Sequence, residues 1–184
     1  GGNYNDNVRN LTIDGNMSIN ATGAHSAPGI GSGRDGILYD LTINEGNITA
    51  RGGENAPGIG AGEAIGESGG DLHNLTINGG NIQAHGGKDA AGIGCSDGGD
   101  LKGTIAINGG NIEARGGKYG AGIGGGNGGN IIKKGKINIQ CKQDNPMEIV
   151  ARGGTNSAGI GGGKDQSSCE IVIKGHPRKR ELLK

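Results

Sequence analysis

The chain has 184 residues, of which 45 are glycine, three are tyrosine and none is phenylalanine or tryptophan. Aromatic side chains supply much of the apolar area that an ordinary core buries, so this composition argues against a conventional globular interior and for many small, repeated contacts. Lys plus Arg and Asp plus Glu both number 18, which leaves no global attraction to nucleic acid or an anionic membrane, and no apolar stretch approaches the roughly 20 residues that a membrane-spanning helix needs.

In chain order the first predicted strand is Leu11-Thr12-Ile13, followed by Ile19-Asn20-Ala21-Thr22 and the phrase Ala27-Pro28-Gly29-Ile30-Gly31. The three runs return as Leu41-Thr42-Ile43, Ile48-Thr49-Ala50-Arg51 and Ala56-Pro57-Gly58-Ile59-Gly60, then as Leu75-Thr76-Ile77, Ile82-Gln83-Ala84-His85 and Ala91-Gly92-Ile93-Gly94. Further copies are Ile105-Ala106-Ile107, Ile112-Glu113-Ala114-Arg115 and Ala121-Gly122-Ile123-Gly124, and Ile137-Asn138-Ile139, Ile149-Val150-Ala151-Arg152 and Ala158-Gly159-Ile160-Gly161; Ile171-Val172-Ile173 begins one more. In the first two runs apolar residues alternate with polar ones, as half-buried strands require. In the third a single Ile faces inward and its glycines permit a tight bend.

The first glycine of the third run falls at positions 29, 58, 92, 122 and 159, so the copies are spaced by 29, 34, 30 and 37 residues. Fixed-period self-similarity of this kind marks a repeat architecture. Helical solenoids share the period, but each glycine inside a helix costs about 1 kcal/mol. The reading is therefore all-β: a parallel β-helix (β-solenoid) of about five coils, three short strands per coil and roughly 30 residues per coil. At about 4.8 Å per rung, Ile30, Ile59, Ile93, Ile123 and Ile160 would form one interior ladder. The repeat domain is assigned to residues 1–175, with a basic tail or cap at 176–184. Residues 63–68 and 142–147 lengthen two corners and account for the two long spacings.

In such a stack, sites are columns of equivalent residues. Arg51, His85, Arg115 and Arg152 end successive copies of the second strand. Like charges one rung apart repel, so something must offset them. Guanidinium forks suit the carboxylate or sulfate groups of an acidic polysaccharide; the alternative is that each fork is spent on nearby groups such as Glu113. A second column, Asp71, Asp100 and Asn130, reads first as acceptors for turn amides, with oxygen ligands for calcium as the alternative. Asn44, Asn78 and Asn108, with Asn47, Asn81 and Asn111 three places on, are expected to form amide ladders. Thr12, Thr42 and Thr76 line up in an ice-binding manner, but Ala106, Asn138 and Val172 interrupt the row. No catalytic motif links any histidine to a nucleophile, and none cradles phosphate, so no catalytic residue is assigned and the chain reads as a non-enzyme. Cys95, Cys141 and Cys169 lack metal-ligand spacing and permit at most one disulfide.

The stretch Gly110-Asn111-Ile112-Glu113-Ala114-Arg115-Gly116-Gly117 through Gly120-Ala121-Gly122-Ile123-Gly124-Gly125-Gly126 resembles glycine-rich repeats in secreted or cell-surface bacterial proteins, of the kind described as carbohydrate-binding-like or adhesin regions. The likeness covers nearly the whole chain except its tail. It implies an extracellular or cell-surface module of a larger protein, engaged in adhesion or glycan binding along one solenoid face. An acidic polysaccharide or cell-surface glycan is the expected partner; nucleic acid, a membrane span and a cofactor other than calcium are not expected. A structural spacer stacking end to end, and a divergent polysaccharide lyase or hydrolase, are the alternatives. Sugar sites commonly stack rings on Trp or Tyr, and only Tyr4, Tyr39 and Tyr119 are on offer, so a site here has to be polar or charged.

Overall fold

A computed structural model describes residues 6–65, 70–128, 135–141, 146–165 and 169–175. The first coil is β1 (Leu11–Ile13), β2 (Ser18–Thr22) and β3 (Ile30–Ser32); the second is β4 (Leu38–Ile43), β5 (Asn47–Arg51) and β6 (Ile59–Ala61). The third comprises β7 (Leu72–Ile77), β8 (Asn81–His85) and β9 (Ile93–Gly94), the fourth β10 (Leu101–Ile107), β11 (Gly110–Arg115) and β12 (Ile123–Gly124). The fifth is β13 (Lys136–Gln140), β14 (Met147–Arg152) and β15 (Ile160–Gly161), and β16 (Glu170–Lys174) opens the next. Every third strand pairs in parallel, giving three sheets: β1-β4-β7-β10-β13-β16, β2-β5-β8-β11-β14 and β3-β6-β9-β12-β15. This is a parallel β-solenoid of about five turns, with about 32 residues per turn. The excess over 30 comes from the two lengthened corners; positions 66–69 and 142–145 within them lie outside the described residues, as does the tail 176–184.

Register follows the repeat residue for residue. Ile30 pairs with Ile59, Ile59 with Ile93, Ile93 with Ile123 and Ile123 with Ile160. Two further inward ladders stand beside that one: Ile48, Ile82 and Ile112, and Ala50, Ala84 and Ala114, all buried. Fully burying an Ile contributes about 1.5–3 kcal/mol, and each does so against its own copies, so a narrow interior is filled without aromatic rings.

The structure adds inward positions that the alternation did not reveal. The first strand reaches back to include Leu38, Leu72 and Leu101, all fully buried. Between Leu101 and Thr104 the pairing with β7 shifts at a bulge, where Gly103 comes so close that a Cβ would lie 2.0 Å from the His73 carbonyl oxygen. At or just past the end of the third strand, Ser32, Ala61 and Cys95 are buried two places after each Ile, so the third run carries two buried side chains rather than the single Ile expected. Burial raises the Cys95 thiol well above the ordinary cysteine range, and none of the three cysteines forms a disulfide.

The glycine following each interior Ile is required by the stacking itself. Gly31, Gly60, Gly94, Gly124 and Gly161 have φ of 142°, 148°, 137°, 131° and 135°. That conformation would aim a Cβ at the next coil: at Gly94 it would fall 2.0 Å from the Gly124 carbonyl oxygen. Gly161 has the same backbone, but its nearest contact would be the Ala158 Cβ at 3.3 Å. Both Gly94→Ala and Gly161→Ala incur the strain of a non-glycine residue at positive φ, about 1–3 kcal/mol, but only Gly94→Ala must also push a coil aside. Thermal unfolding should show a clearly larger loss of Tm for Gly94→Ala; equal losses would refute close stacking as the constraint.

Candidate functional site

Three rows of side chains stand outward on the second sheet because its strands alternate inward Ile and Ala with polar residues. One row is Ser18, Asn47, Asn81, Asn111 and Glu148; the next is Asn20, Thr49, Gln83, Glu113 and Val150; the third is Thr22, Arg51, His85, Arg115 and Arg152. The charged column expected from the repeat is therefore a single ladder in register. A groove of about 390 Å³ runs along the first two rows and ends at Arg152. A second hollow of about 540 Å³ lies at the adjoining corner, where Pro146, Met147 and Glu148 stand beside Gly80 and Gly110. Asn81 and Asn111 line both, so the groove meets the corner at the end of the longer insertion.

The two halves of the charged ladder differ. Arg115 Nε donates to Glu113 Oε1 at 2.8 Å, a second nitrogen of that guanidinium donates to the same oxygen, and Arg152 reaches it at 3.0 Å. The Arg115 hydrogen bond, aided by the charges of Arg115 and Arg152, holds the Glu113 carboxyl below the usual carboxylate range. The alternative in which forks are spent on Glu113 thus describes Arg115 and Arg152. It does not describe Arg51, whose side chain has no hydrogen bond or ion pair among the described residues, and whose row-two neighbours Asn20, Thr49 and Gln83 are neutral. His85 sits between Arg51 and Arg115; partial burial, then the charges of Arg51 and Arg115, lower its pKa against a smaller opposing influence of Glu113.

The remaining columns are structural in character. Asn78 donates to Asn44 at 2.8 Å and Asn108 to Asn78 at 2.9 Å, and Asn81 donates to Asn47 at 2.9 Å. The second amide ladder stops there, because the Asn111 amide makes no side-chain hydrogen bond among the described residues and faces the groove. Asp71 and Asp100 lie one rung apart, their carbonyls accepting from Leu38 and Leu72. The buried Asp71 carboxylate receives Lys102 Nζ at 2.6 Å; Asn130 lies outside the described residues, among which no group of three or more His, Cys, Asp or Glu side chains is placed to hold a metal ion. The Thr12, Thr42 and Thr76 row runs on into Ala106, Asn138 and Val172 as expected.

Both described tyrosines have close partners within the protein. The Arg9 guanidinium lies 3.6 Å from the Tyr39 ring centre and the His73 ring stacks at 4.9 Å. Lys118 and Lys164 approach Tyr119 at 4.8 and 5.3 Å; Tyr4 lies outside the described residues. Sequence reading missed the Tyr39–His73 stack, although each follows a leucine of the Leu38, Leu72 ladder and the shared offset was available as a signal.

The shifts make a signed prediction. A carboxyl held below its unfolded value stabilises the fold above that value and loses the contribution as pH falls through the folded one. Glu113→Gln should therefore weaken the acid dependence of Tm below about pH 4.5, the ordinary carboxylate range, while leaving it unchanged above neutrality except for a constant offset. His85 has the opposite chemistry: its lowered pKa means that the unfolded chain takes up a proton first, so stability falls as pH drops below about 6.5, and His85→Gln should remove that loss. Identical Tm profiles for parent and variants would contradict the assignment.

The comparisons with known proteins bear on the fold. No curated protein and no solved structure matched the chain. A family model described as a beta helix repeat matches residues 11–34, 41–63, 75–99 and 105–127. Each matched segment begins at or near the start of a first-strand run and ends just past the Gly-Ile-Gly phrase, which is one coil of the solenoid. Together these segments cover just over half of the chain, and it belongs to the beta helix repeat family.

Proposed function

We propose that this protein is a non-catalytic extracellular module that binds an extended glycan chain along the groove of the second sheet. The observation that carries the reading is the groove itself: open along the solenoid axis, floored by Thr49, Gln83 and Glu113, and edged by an asparagine row in which Asn111, beyond the hydrogen-bonded Asn47 and Asn81, keeps its amide for a ligand. Amides and hydroxyls repeating at about 4.8 Å suit a polymer whose own units repeat. Neither Tyr39 nor Tyr119 lines the groove, and Tyr39 is already engaged by Arg9 and His73, so affinity comes from hydrogen bonds rather than ring stacking and should grow with chain length. Glu113, ionised and held by two guanidinium groups, has no proton to give and is a poor general acid, which supports binding over hydrolysis.

A second reading, an end-to-end stacking spacer, is favoured by one feature. The inward-type residues Ile171 and Ile173 of β16 are 41% and 63% exposed, and the strand pairs only with β13 among the described residues. Self-association through such an end would be head to tail and open-ended.

An oligosaccharide panel read by calorimetry tests the first reading. Asn111→Ala and Gln83→Ala should each weaken the best-bound oligosaccharide about threefold to tenfold, the value of one or two hydrogen bonds, at unchanged Tm. Unchanged affinity in both variants, or release of reducing-end or unsaturated products, would defeat it. Growth of the mass seen by light scattering with concentration, without glycan binding, would instead select the spacer.

A further inference from the structure

The charge ladder on the second sheet is compensated on one side only. Glu113 is the sole carboxylate in the middle row of that sheet among the described residues, and its Oε1 is shared by Arg115 and Arg152. One rung down, the equivalent position is Gln83, and below that Thr49 and Asn20. Arg51 and His85 are therefore neighbours in register, about 4.8 Å apart along the stack, with a neutral residue wherever an internal counter-charge would stand. Arg51 is exposed and makes no ion pair among the described residues. On its other side the ladder ends at Thr22, a neutral hydroxyl.

We propose that Arg51 and His85 form a subsite for one anionic group, a carboxylate or sulfate ester, carried by the glycan in the adjoining groove. The guanidinium fork of Arg51 presents two parallel donors suited to such a group, and the imidazolium of His85 supplies a third donor from the next rung. An anion here does what Glu113 does two rungs above. The identification of the ligand as a glycan rests on the groove reading; the anion chemistry rests on the ladder alone.

The subsite couples binding to proton uptake. The charged groups facing His85 are Arg51 on β5 and Arg115 and Glu113 on β11; partial burial, then the two arginines, outweigh Glu113 and leave the imidazole neutral over more of the pH range than usual. An anion between Arg51 and His85 favours the charged form, and coupling between ligand and proton is reciprocal. Affinity for the anion therefore rises as pH falls through the range in which His85 titrates. A uronate stays ionised down to about pH 4, so the gain is not cancelled until then, and a sulfate ester shows no such limit.

The test is an NMR titration of the His85 ring in the full chain at constant ionic strength. The additions are sodium chloride, sodium sulfate, a galacturonic acid hexasaccharide, or a neutral glucose hexasaccharide. Sulfate and the uronate should raise the His85 midpoint above its value in chloride, and the uronate should bind about tenfold more tightly near pH 5 than near pH 8. Arg51→Gln should abolish both effects. Gln83→Glu, which installs the missing carboxylate beside His85, should raise the midpoint without any ligand and remove the response to anions. Unchanged His25 and His73 resonances report that the variants keep the fold. A His85 midpoint indifferent to sulfate and uronate alike, or a full response in Arg51→Gln, overturns the subsite. Binding of the uronate with no effect on the His85 midpoint overturns it while leaving the groove reading intact, and the neutral hexasaccharide should leave His85 unmoved. A response to sulfate with no oligosaccharide bound upholds the anion site and assigns it to a free anion, at the expense of the groove reading.

Discussion

Parallel backbone pairing between successive coils is the constraint from which the molecule follows. Each rung is placed by hydrogen bonds to the rungs above and below, such as those running from Ile59 to Gly92, from Ile93 to Gly122 and from Ile123 to Gly159. The coils can approach this closely because the residue after each interior Ile lacks a Cβ, which at Gly31, Gly60 or Gly94 would collide with the carbonyl of the coil it rests on. Glycine richness is thus a packing requirement of a narrow stack. It also explains how 184 residues without Phe or Trp hold a core: Leu and Ile columns bury themselves against their own copies, and little cross-section has to be filled.

Stacking identical units transfers the repeat to the outer faces, with benefits and costs that depend on chemistry. Asparagine profits, since one amide donates to the next along the three rungs Asn44–Asn78–Asn108 and between the two rungs Asn47–Asn81. Charge does not, because like charges in register repel. The chain resolves the conflict by breaking its own repeat. Glu113 replaces a neutral residue and bridges the guanidinium groups of two rungs, whereas His85 stands in the arginine column and its lowered pKa sheds the charge that would otherwise lie between Arg51 and Arg115. Aromatic residues follow the same logic. Tyr39 meets a planar neighbour on the next rung, so its faces are consumed by stacking within the protein.

Departures from the repeat therefore carry the individuality of this surface. The insertion ending at Pro146 and Met147 flanks the end of the groove at Asn81 and Asn111. The bulge at Gly103 lets β10 take an extra residue without displacing the Leu101 and Ile105 ladders. Function, on this view, resides where copies differ, against a background in which agreement between copies serves stacking.

The repeat, its three strands per coil, the parallel register and the interior Ile ladder were all legible in the amino-acid sequence, because every coil repeats the same alternation and the same Gly-Ile-Gly phrase. The alignment of Arg51, His85, Arg115 and Arg152 was legible for the same reason: in a stacked solenoid, equivalence in sequence is adjacency in space. What alignment does not supply is the direction in which a side chain turns along its row. That Glu113 reaches Arg115 two residues away and Arg152 on the next rung, leaving Arg51 without a counter-charge, was decided by side-chain geometry. The inward Leu38, Leu72 and Leu101 ladder and the buried Ser32, Ala61 and Cys95 positions also depended on where the corners bend, which short polar stretches do not announce. Local chemistry determined the strands and their pairing; only the closed coil determined which corner residues point in and which charges meet.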